Sequence, residues 1–218
     1  MSVHRKPRGF IPTLALIATS LLAPGALAQR VSFGVVAGGY ANRDFVSHYI
    51  PLSDLPPPYS EFPPDIAESD AGGYVVGVSL GVRLLPQLSV GVDALYKPLH
   101  YRQGATFDRN NAVIGWAPAT VLTWQFPVLA KYNLRAGRVM PFVEAGPSFR
   151  ATGNLNRSDP SHVGATAGVG VETPWWRVGI APRVRYTRWA KDPFSADVRT
   201  RADQVEFLIG FTFRRRDK

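Results

Sequence analysis

Charged residues recur at isolated positions inside segments that are otherwise built from apolar and small residues. The set comprises Asp93, Lys131, Glu144, Glu172, Arg177, Arg183, Arg185 and Glu206. Two carboxylates held close together could act as a general acid and a general base. Acids and bases that are buried together would instead form ion pairs, which hold the surrounding elements in register. The elements that carry these residues decide between the two roles.

Other residue types that could do chemistry give little signal. The chain has no Cys, which excludes disulfides, thiolate metal sites and a cysteine nucleophile. His48, His100 and His162 show no metal-ligand spacing. Ser161 and His162 are adjacent, so in a strand their side chains would point to opposite faces. We therefore expect no catalytic residue, no metal site and no cofactor.

The elements that must position the charged residues are strands. After residue 29, apolar residues alternate with small or polar ones at a period of two, which is typical of strands with two different faces. Each segment is long enough to cross a bilayer at a tilt, which takes about 9–11 residues. The predicted strands are Val31–Ala41, Tyr74–Leu84, Leu88–Lys97, Leu122–Leu134, Val139–Arg150, Val163–Glu172, Trp176–Thr187 and Gln204–Phe213.

The connections between the predicted strands alternate in length. Three are short and cover about residues 85–87, 135–138 and 173–175. Four are long and cover about residues 46–71, 99–117, 151–161 and 189–202. Short turns at one end and long loops at the other are typical of a bacterial outer-membrane barrel.

The composition of the two strand faces indicates which one points outward. Val76, Val78 and Leu80 lie on one face, whereas Gly77 and Ser79 lie on the other. A soluble barrel would carry many more charges on its polar face, whereas a narrow lumen suits small residues. The apolar face also carries aromatic residues near both ends, as interfacial girdles require. These are Tyr74, Tyr96, Phe149 and Tyr186 at the long-loop end, and Phe33, Tyr132, Trp176 and Phe213 at the short-turn end.

The charged set then falls on the lumen face. Depth matching places Asp93, Glu144, Arg183 and Glu206 near the middle, with Arg185 above them. Lys131, Glu172, Arg177 and Arg83 lie nearer the periplasmic end. We expect a salt-bridge plug in which Glu206 pairs with Arg183 or Arg185. A narrow polar conduit and a catalytic carboxylate pair are the alternatives.

The two ends of the chain account for part of the net charge of +9. Residues 1–28 have a basic start, an apolar middle and an Ala26-Leu27-Ala28 ending, as a cleaved secretory signal peptide does. A basic tail, residues 214–218, follows the last strand. Because these charges lie in an export signal, a short tail and a lumen, the basic composition does not indicate nucleic-acid binding.

Prolines and the first long loop give two further expectations. Pro127, Pro141, Pro147 and Pro182 lie inside predicted strands, where each removes a ladder donor, so we expect bulges or fraying there. Loop 46–71 is rich in Pro and acids, as a stiff extracellular loop is. It could bind an extracellular partner or a cation, with Tyr59 and Phe62 as its aromatic contacts.

Two segments carry a resemblance to a known family. Residues 123–132 (TWQFPVLAKY) and 141–149 (PFVEAGPSF) resemble the paired strand motifs of the PorT-like family of small outer-membrane β-barrel proteins. Gln125 stands where that family often has an acid. The resemblance implies an eight-stranded barrel with both termini in the periplasm and no shared active site.

The last strand, residues 205–213 (VEFLIGFTF), resembles the terminal strand that the barrel-assembly machinery recognises. The resemblance implies an assembly signal at Phe207, Gly210, Phe211 and Phe213. In that pattern an aromatic residue usually ends the chain, whereas residues 214–218 follow Phe213 here.

The sequence therefore predicts an all-β protein, an eight-stranded antiparallel up-and-down transmembrane β-barrel over residues 29–213. We expect an integral protein of the bacterial outer membrane, not an enzyme, with a structural, adhesive or interaction role through its extracellular loops. Its expected partners are outer-membrane lipid, the assembly machinery and a possible ligand of loop 46–71, but not nucleic acid. A narrow transport pore and a soluble exported ligand-binding barrel are the alternatives.

Overall fold

The structure is a computed structural model that describes residues 31–50, 65–69, 71–110, 112–152, 158–175, 178–192, 194–195 and 199–213. The signal segment 1–28, the basic tail 214–218, Arg177, Trp176 and the loop aromatics Tyr59 and Phe62 lie outside these residues. Among the described residues, no helix is long and apolar enough to cross a membrane.

Twelve strands are present in the described part of the chain. Eight are long: β1 (Val31–Arg43), β4 (Ala71–Arg83), β5 (Leu88–Phe107), β6 (Val113–Asn133), β7 (Met140–Thr152), β9 (Val163–Trp175), β10 (Val178–Trp189) and β12 (Asp203–Phe213). Four are short: β2 (His48–Ile50), β3 (Asp65–Ser69), β8 (Ser158–Asp159) and β11 (Phe194–Ser195). Six of the eight long strands start and end close to the predicted positions, because their alternation is regular, whereas β5 and β6 are longer than predicted.

The eight long strands close into a barrel. Each pairs antiparallel with its neighbour in the order β5-β4-β1-β12-β10-β9-β7-β6, and β6 pairs back to β5. The first and last strands meet along the register from Phe33 opposite Phe213 to Tyr40 opposite Glu206. Closure leaves no free edge within the membrane, as lipid requires of backbone polar groups. The predicted eight-stranded antiparallel barrel is confirmed.

The prediction that residues 99–117 form a loop is wrong, because most of them belong to strands β5 and β6. β5 has 20 residues and β6 has 21, so the two strands continue as a hairpin well beyond their neighbours. β3 pairs with the upper part of β5, and β2 pairs with β3. Part of the predicted loop 46–71 is therefore a sheet extension of the barrel at its long-loop end.

Of the four in-strand prolines, Pro141 lies at a strand end, as the second residue of β7, and the expectation of bulges at the other three is wrong. The ladders through Pro127, Pro147 and Pro182 keep one register on both sides of each proline. Register shifts occur instead between Tyr40 and Arg43, and between Gly104 and Phe107. Both lie toward the long-loop end, where the strands no longer have to form a closed cylinder.

The apolar face of the strands points outward. Val76, Val78 and Leu80 are 43–48% exposed, and this exposure continues around the barrel. So large an apolar surface is incompatible with a water-soluble protein of this size. Tyr74, Tyr96 and Trp124 contact one another in a row across β4, β5 and β6. The predicted girdle members Phe33, Tyr132, Phe149, Tyr186 and Phe213 also point outward and are exposed.

The polarity of the two faces inverts beyond Tyr96. Leu99 and Tyr101 point inward and are buried, whereas Arg102 points outward. Leu99 and Tyr101 form a small apolar core with Phe45, Ala67 and Val121, here called the extracellular cap. A strand that leaves lipid for water must bury its apolar side chains inward, so the inversion marks the upper membrane boundary.

Candidate functional site

Four charged side chains form an ion cluster across the middle of the lumen. Asp93 comes from β5, Glu144 from β7, and Arg183 and Arg185 from β10, where their spacing of two puts them on one face. Arg185 lies 2.7 Å from the Asp93 carboxylate and 2.6 Å from that of Glu144. Arg183 lies 3.6 Å from each. All four are almost fully buried, and the cluster links three strands across the lumen.

A second ion pair lies nearer the short-turn end. The Lys131 ammonium group lies 2.5 Å from Glu172 and 4.1 Å from the centre of the Phe142 ring. Arg83 is exposed at the same end. The structure thus brings six of the eight predicted lumen charges into two layers. Arg177 lies outside the described residues.

Glu206 does not pair as expected from the sequence. It bonds the Lys97 ammonium group at 3.4 Å, and the expectation that it pairs with Arg183 or Arg185 is wrong. Lys97 is fully buried and lies 3.8 Å from the centre of the Tyr40 ring. The sequence signal was present, because Lys97 continues the inward series that contains Asp93 and Leu95.

Arg150 is a further buried lumen cation, outside the predicted set of eight charged residues. Its guanidinium lies 3.8 Å from the centre of the Trp189 ring, and the Trp189 indole donates to Gln204. Ser148, Thr166 and Thr187 form a chain of buried hydroxyl contacts on three neighbouring strands. Above the central cluster the lumen is therefore also filled by side chains.

The extracellular cap contains one buried carboxylate. Asp44 accepts a hydrogen bond from the Tyr40 hydroxyl and another from the backbone amide of His100. Burial raises the pKa of Asp44, and the charge of Lys97 only partly opposes this. Asp44 thus joins the first strand to β5 where the barrel passes into the cap.

The outer rim contains a separate polar cluster. Asp203 accepts a hydrogen bond from the Tyr186 hydroxyl and lies 2.8 Å from Arg188. These residues lie on the outer face at the long-loop ends of β10 and β12, where lipid gives way to water.

The central charges are arranged as ion pairs. Each central carboxylate is bonded to arginine, so neither is free to act as a general base. Among the described residues, no group of His, Asp or Glu could hold a metal ion. Ser161 donates to the Val163 carbonyl, and the His162 ring contacts the Arg150 carbonyl, so these two do not form a pair.

A cavity of about 290 Å³ lies below the central cluster. Val31, Arg83 and Asn133 line it at the short-turn end, and Asp93, Glu144 and Arg183 line it at the inner end. This space, here called the vestibule, is therefore a recess that ends at the ion cluster.

The four predicted assembly-signal residues lie on β12, which closes the barrel against β1. Phe207, Phe211 and Phe213 point to the outer face, whereas Gly210 points into the lumen. The aromatic residues thus contribute to the lipid-facing surface of the closing strand.

A closed antiparallel barrel with an apolar outer face, aromatic girdles and a charged lumen defines an integral outer-membrane β-barrel protein. The chain belongs to the family of the outer membrane protein beta-barrel domain, which matches residues 13–214. It is therefore a protein of the bacterial outer membrane, and the soluble-barrel alternative is excluded.

Two solved structures are similar to this chain in fold. One is the crystal structure of Neisserial surface protein A, with 15% identity, a TM-score of 0.51, and coverage of 85% of this chain and 96% of that one. The other is the solid-state NMR structure of outer membrane protein AlkL in lipid bilayers, with 12% identity, a TM-score of 0.43, and coverage of 100% and 99%. No curated protein sequence matches this chain significantly.

Proposed function

We propose that this protein is a non-conducting surface barrel that presents a folded extracellular extension for a structural, adhesive or interaction role. The observation that carries the proposal is the filling of the lumen at successive levels. The central ion cluster, the Lys97–Glu206 pair and the apolar cap lie one above another. Ions would have to break buried ion pairs to pass, which favours this role over a narrow transport pore.

The extension offers a contact surface above the membrane. Ile114 is 66% exposed on β6, and the Trp116 ring lies beside Arg102 at 5.3 Å. Arg102 also pairs with Glu68 of β3 at 3.1 Å. Aromatic and arginine side chains are enriched in protein interfaces. This surface combines β3, from loop 46–71, with the β5–β6 hairpin, and supports an extracellular partner there.

Several finer assignments belong to the same proposal. The motifs at 123–132 and 141–149 support membership of the PorT-like group within the barrel family. The segment 1–28 acts as the export signal, and Phe207, Gly210, Phe211 and Phe213 as the signal for the assembly machinery. The protein is not an enzyme and needs no cofactor, and its remaining partner is outer-membrane lipid.

Surface presentation can be tested by labelling, because the chain has no Cys of its own. Ile114→Cys at the hairpin should react on intact cells with a membrane-impermeant maleimide. Leu85→Cys, in a short turn and 59% exposed, is the matched control and should react only after the outer membrane is permeabilised. Protection of Ile114→Cys on intact cells would contradict the proposal.

A further inference from the structure

The vestibule has an unequal charge balance. Its described lining contains four basic side chains, from Arg83, Lys131, Arg183 and Arg185. It contains three acidic ones, from Asp93, Glu144 and Glu172. Because the vestibule ends at the central cluster and is lined at its other end by the short-turn residues, a periplasmic solute would meet this surplus of positive charge.

The three acids are already bonded to two of the bases. Glu172 bonds Lys131 at 2.5 Å, and Arg185 bonds Asp93 and Glu144 at 2.7 and 2.6 Å. The Arg185 Nε–Glu144 contact is a charge-assisted hydrogen bond, whereas Arg185 Nη1 and Asp93 Oδ2 form an ion pair without a hydrogen bond. The acids therefore have their closest bonds to Lys131 and Arg185, and not to Arg183.

Arg83 is exposed, and of the other three vestibule bases Arg183 has the longest carboxylate contacts. Its two carboxylate contacts are 3.6 Å long, beyond ordinary hydrogen-bond length. Its Nε and Nη2 groups make no hydrogen bond, although the side chain is only 9% exposed. A buried guanidinium donor without an acceptor is costly, and an oxyanion would satisfy it.

The space around the Arg183 head fits such a ligand. Gly210 of β12 faces the Arg183 guanidinium. A Cβ atom at this position would lie 3.4 Å from Nη2, so the absence of a side chain leaves space beside the guanidinium. Ser79 and Ser89 add hydroxyl groups to the vestibule lining. A guanidinium presents paired N–H groups that match the two oxygens of a carboxylate or phosphate.

We propose that the vestibule is a binding site for a small oxyanion, a carboxylate or a phosphate group, that enters from the periplasm. Arg183 binds the oxyanion directly, and Lys131 and Arg83 attract it electrostatically. The site lies at the opposite end of the barrel from the extracellular extension, so it stands independently of the proposed surface role.

The test is a titration of the purified full chain in lipid nanodiscs. Backbone amide NMR chemical shifts of the vestibule residues monitor binding. Inorganic phosphate and acetate are titrated separately at constant ionic strength, with sodium chloride as the baseline. Saturable shifts at Gly210 and Ser79 support the proposal, and the oxyanion with the lower midpoint identifies the preferred group. Shifts no larger than those with chloride overturn it.

Variants separate binding from a structural role of Arg183. Arg183→Gln should weaken binding at least about 10-fold, the loss expected for a charge-assisted hydrogen bond. Arg188→Gln, on the same strand but at the exposed rim, is the matched control and should bind as the wild type does. Binding within twofold of wild type in Arg183→Gln would overturn the proposal.

A third variant covers the case in which Arg183→Gln fails to fold. Ser79→Leu keeps every charge and fills part of the vestibule, so it should also weaken binding at least about 10-fold while Arg183 stays in place. Unchanged oxyanion binding in a folded Ser79→Leu protein would contradict the assigned location.

Discussion

Lys97 shows how a single buried charge constrains this lumen. It has no exposed surface, and its ammonium group has Glu206 on one side and the Tyr40 ring on another. Burying an ammonium group costs several kcal/mol unless it is paired. The Lys97–Glu206 pair therefore links β5 to β12 across the lumen, although the two strands are not neighbours in the barrel.

Glu206→Gln should strongly destabilise the folded barrel, because it leaves Lys97 charged and buried without its partner. The expected loss is about 3–5 kcal/mol in the free energy of unfolding. It can be measured by urea denaturation in detergent micelles, with the heat-dependent gel shift of the folded barrel as the readout.

Glu68→Gln is the matched control, because Glu68 forms an ion pair with Arg102 in which both side chains are nearly half exposed. Its expected cost is about 0–1 kcal/mol. Equal effects of the two substitutions would show that the Lys97–Glu206 pair does not stabilise the lumen.

The raised pKa of Asp44 predicts a pH dependence of the cap. A carboxyl whose folded pKa exceeds the ordinary value of 3.8 binds protons more tightly when folded, so the folded cap is favoured at low pH. Its stability should fall as the pH rises from about 3.8 to the raised pKa and then level off.

Hydrogen exchange of the His100 amide, which donates to Asp44, reports this opening after correction for intrinsic rates. Asp44→Asn removes the titration but keeps Lys97, Tyr40 and His100, so the difference between the two proteins isolates Asp44. If the protection of the His100 amide depended on pH in the same way in the wild type and in Asp44→Asn, the predicted loss of cap stability with rising pH would be wrong.

The β5–β6 hairpin changes its environment along its length. Its lower part has apolar residues outside and charges inside, whereas its upper part has Leu99, Tyr101 and Val121 inside. Phe45 packs into this core and contacts the Tyr101 ring at 4.9 Å. One strand pair thus contributes to both the membrane barrel and the extracellular cap.

Phe45→Ala should open the cap and leave the barrel folded. Phe45 is fully buried, and its truncation removes about 3–5 kcal/mol from the cap core. Limited proteolysis should then cut residues 44–50 or the hairpin, while the gel shift of the barrel persists.

Val46→Ala is the control, because the Val46 side chain is 46% exposed. It should resist proteolysis as the wild type does. Equal protease resistance of Phe45→Ala and wild type would contradict the cap core.

The sequence predicted the membrane strands well because lipid imposes one rule on all of them. Outward residues must be apolar, and a narrow lumen admits small residues, so alternation is regular in segments such as Tyr74–Leu84. It failed at residues 98–121 because the alternation continues there with inverted polarity.

The lumen charges were predicted by face but not by partner. Period two assigns Asp93, Glu144 and Glu206 to the interior, but pairing depends on the tilt and stagger of non-neighbouring strands. Glu206 lies opposite Arg185 in the ladder and nevertheless bonds Lys97. The alternation in the sequence does not contain the relative positions of non-neighbouring strands across the lumen, so it cannot predict this pairing.

The whole molecule gives the basic composition a structural meaning. Of the net charge of +9, part lies in residues 1–28 and 214–218, and the lumen cations Lys97, Lys131 and Arg185 are paired with acids. In the described residues, the barrel has an apolar outer face, a charged lumen and an apolar cap at its long-loop end.

Nitroxide labels should distinguish the two faces of β4. In single-cysteine variants, Val78→Cys should be accessible to oxygen dissolved in lipid, because Val78 points outward and is 45% exposed. Ser79→Cys, one residue on, should be shielded from it inside the lumen. Electron paramagnetic resonance with oxygen and a polar nickel reagent measures both, and equal oxygen accessibility would refute the assignment of faces.

The central prediction is that the side chains in the lumen prevent ion conduction, and single-channel conductance in planar bilayers measures this property directly. The purified, folded wild-type protein should insert and show no stable conductance steps at moderate voltage, while a porin in the same bilayer conducts. Reproducible, unitary steps from the wild-type protein would contradict the account and favour a transport pore.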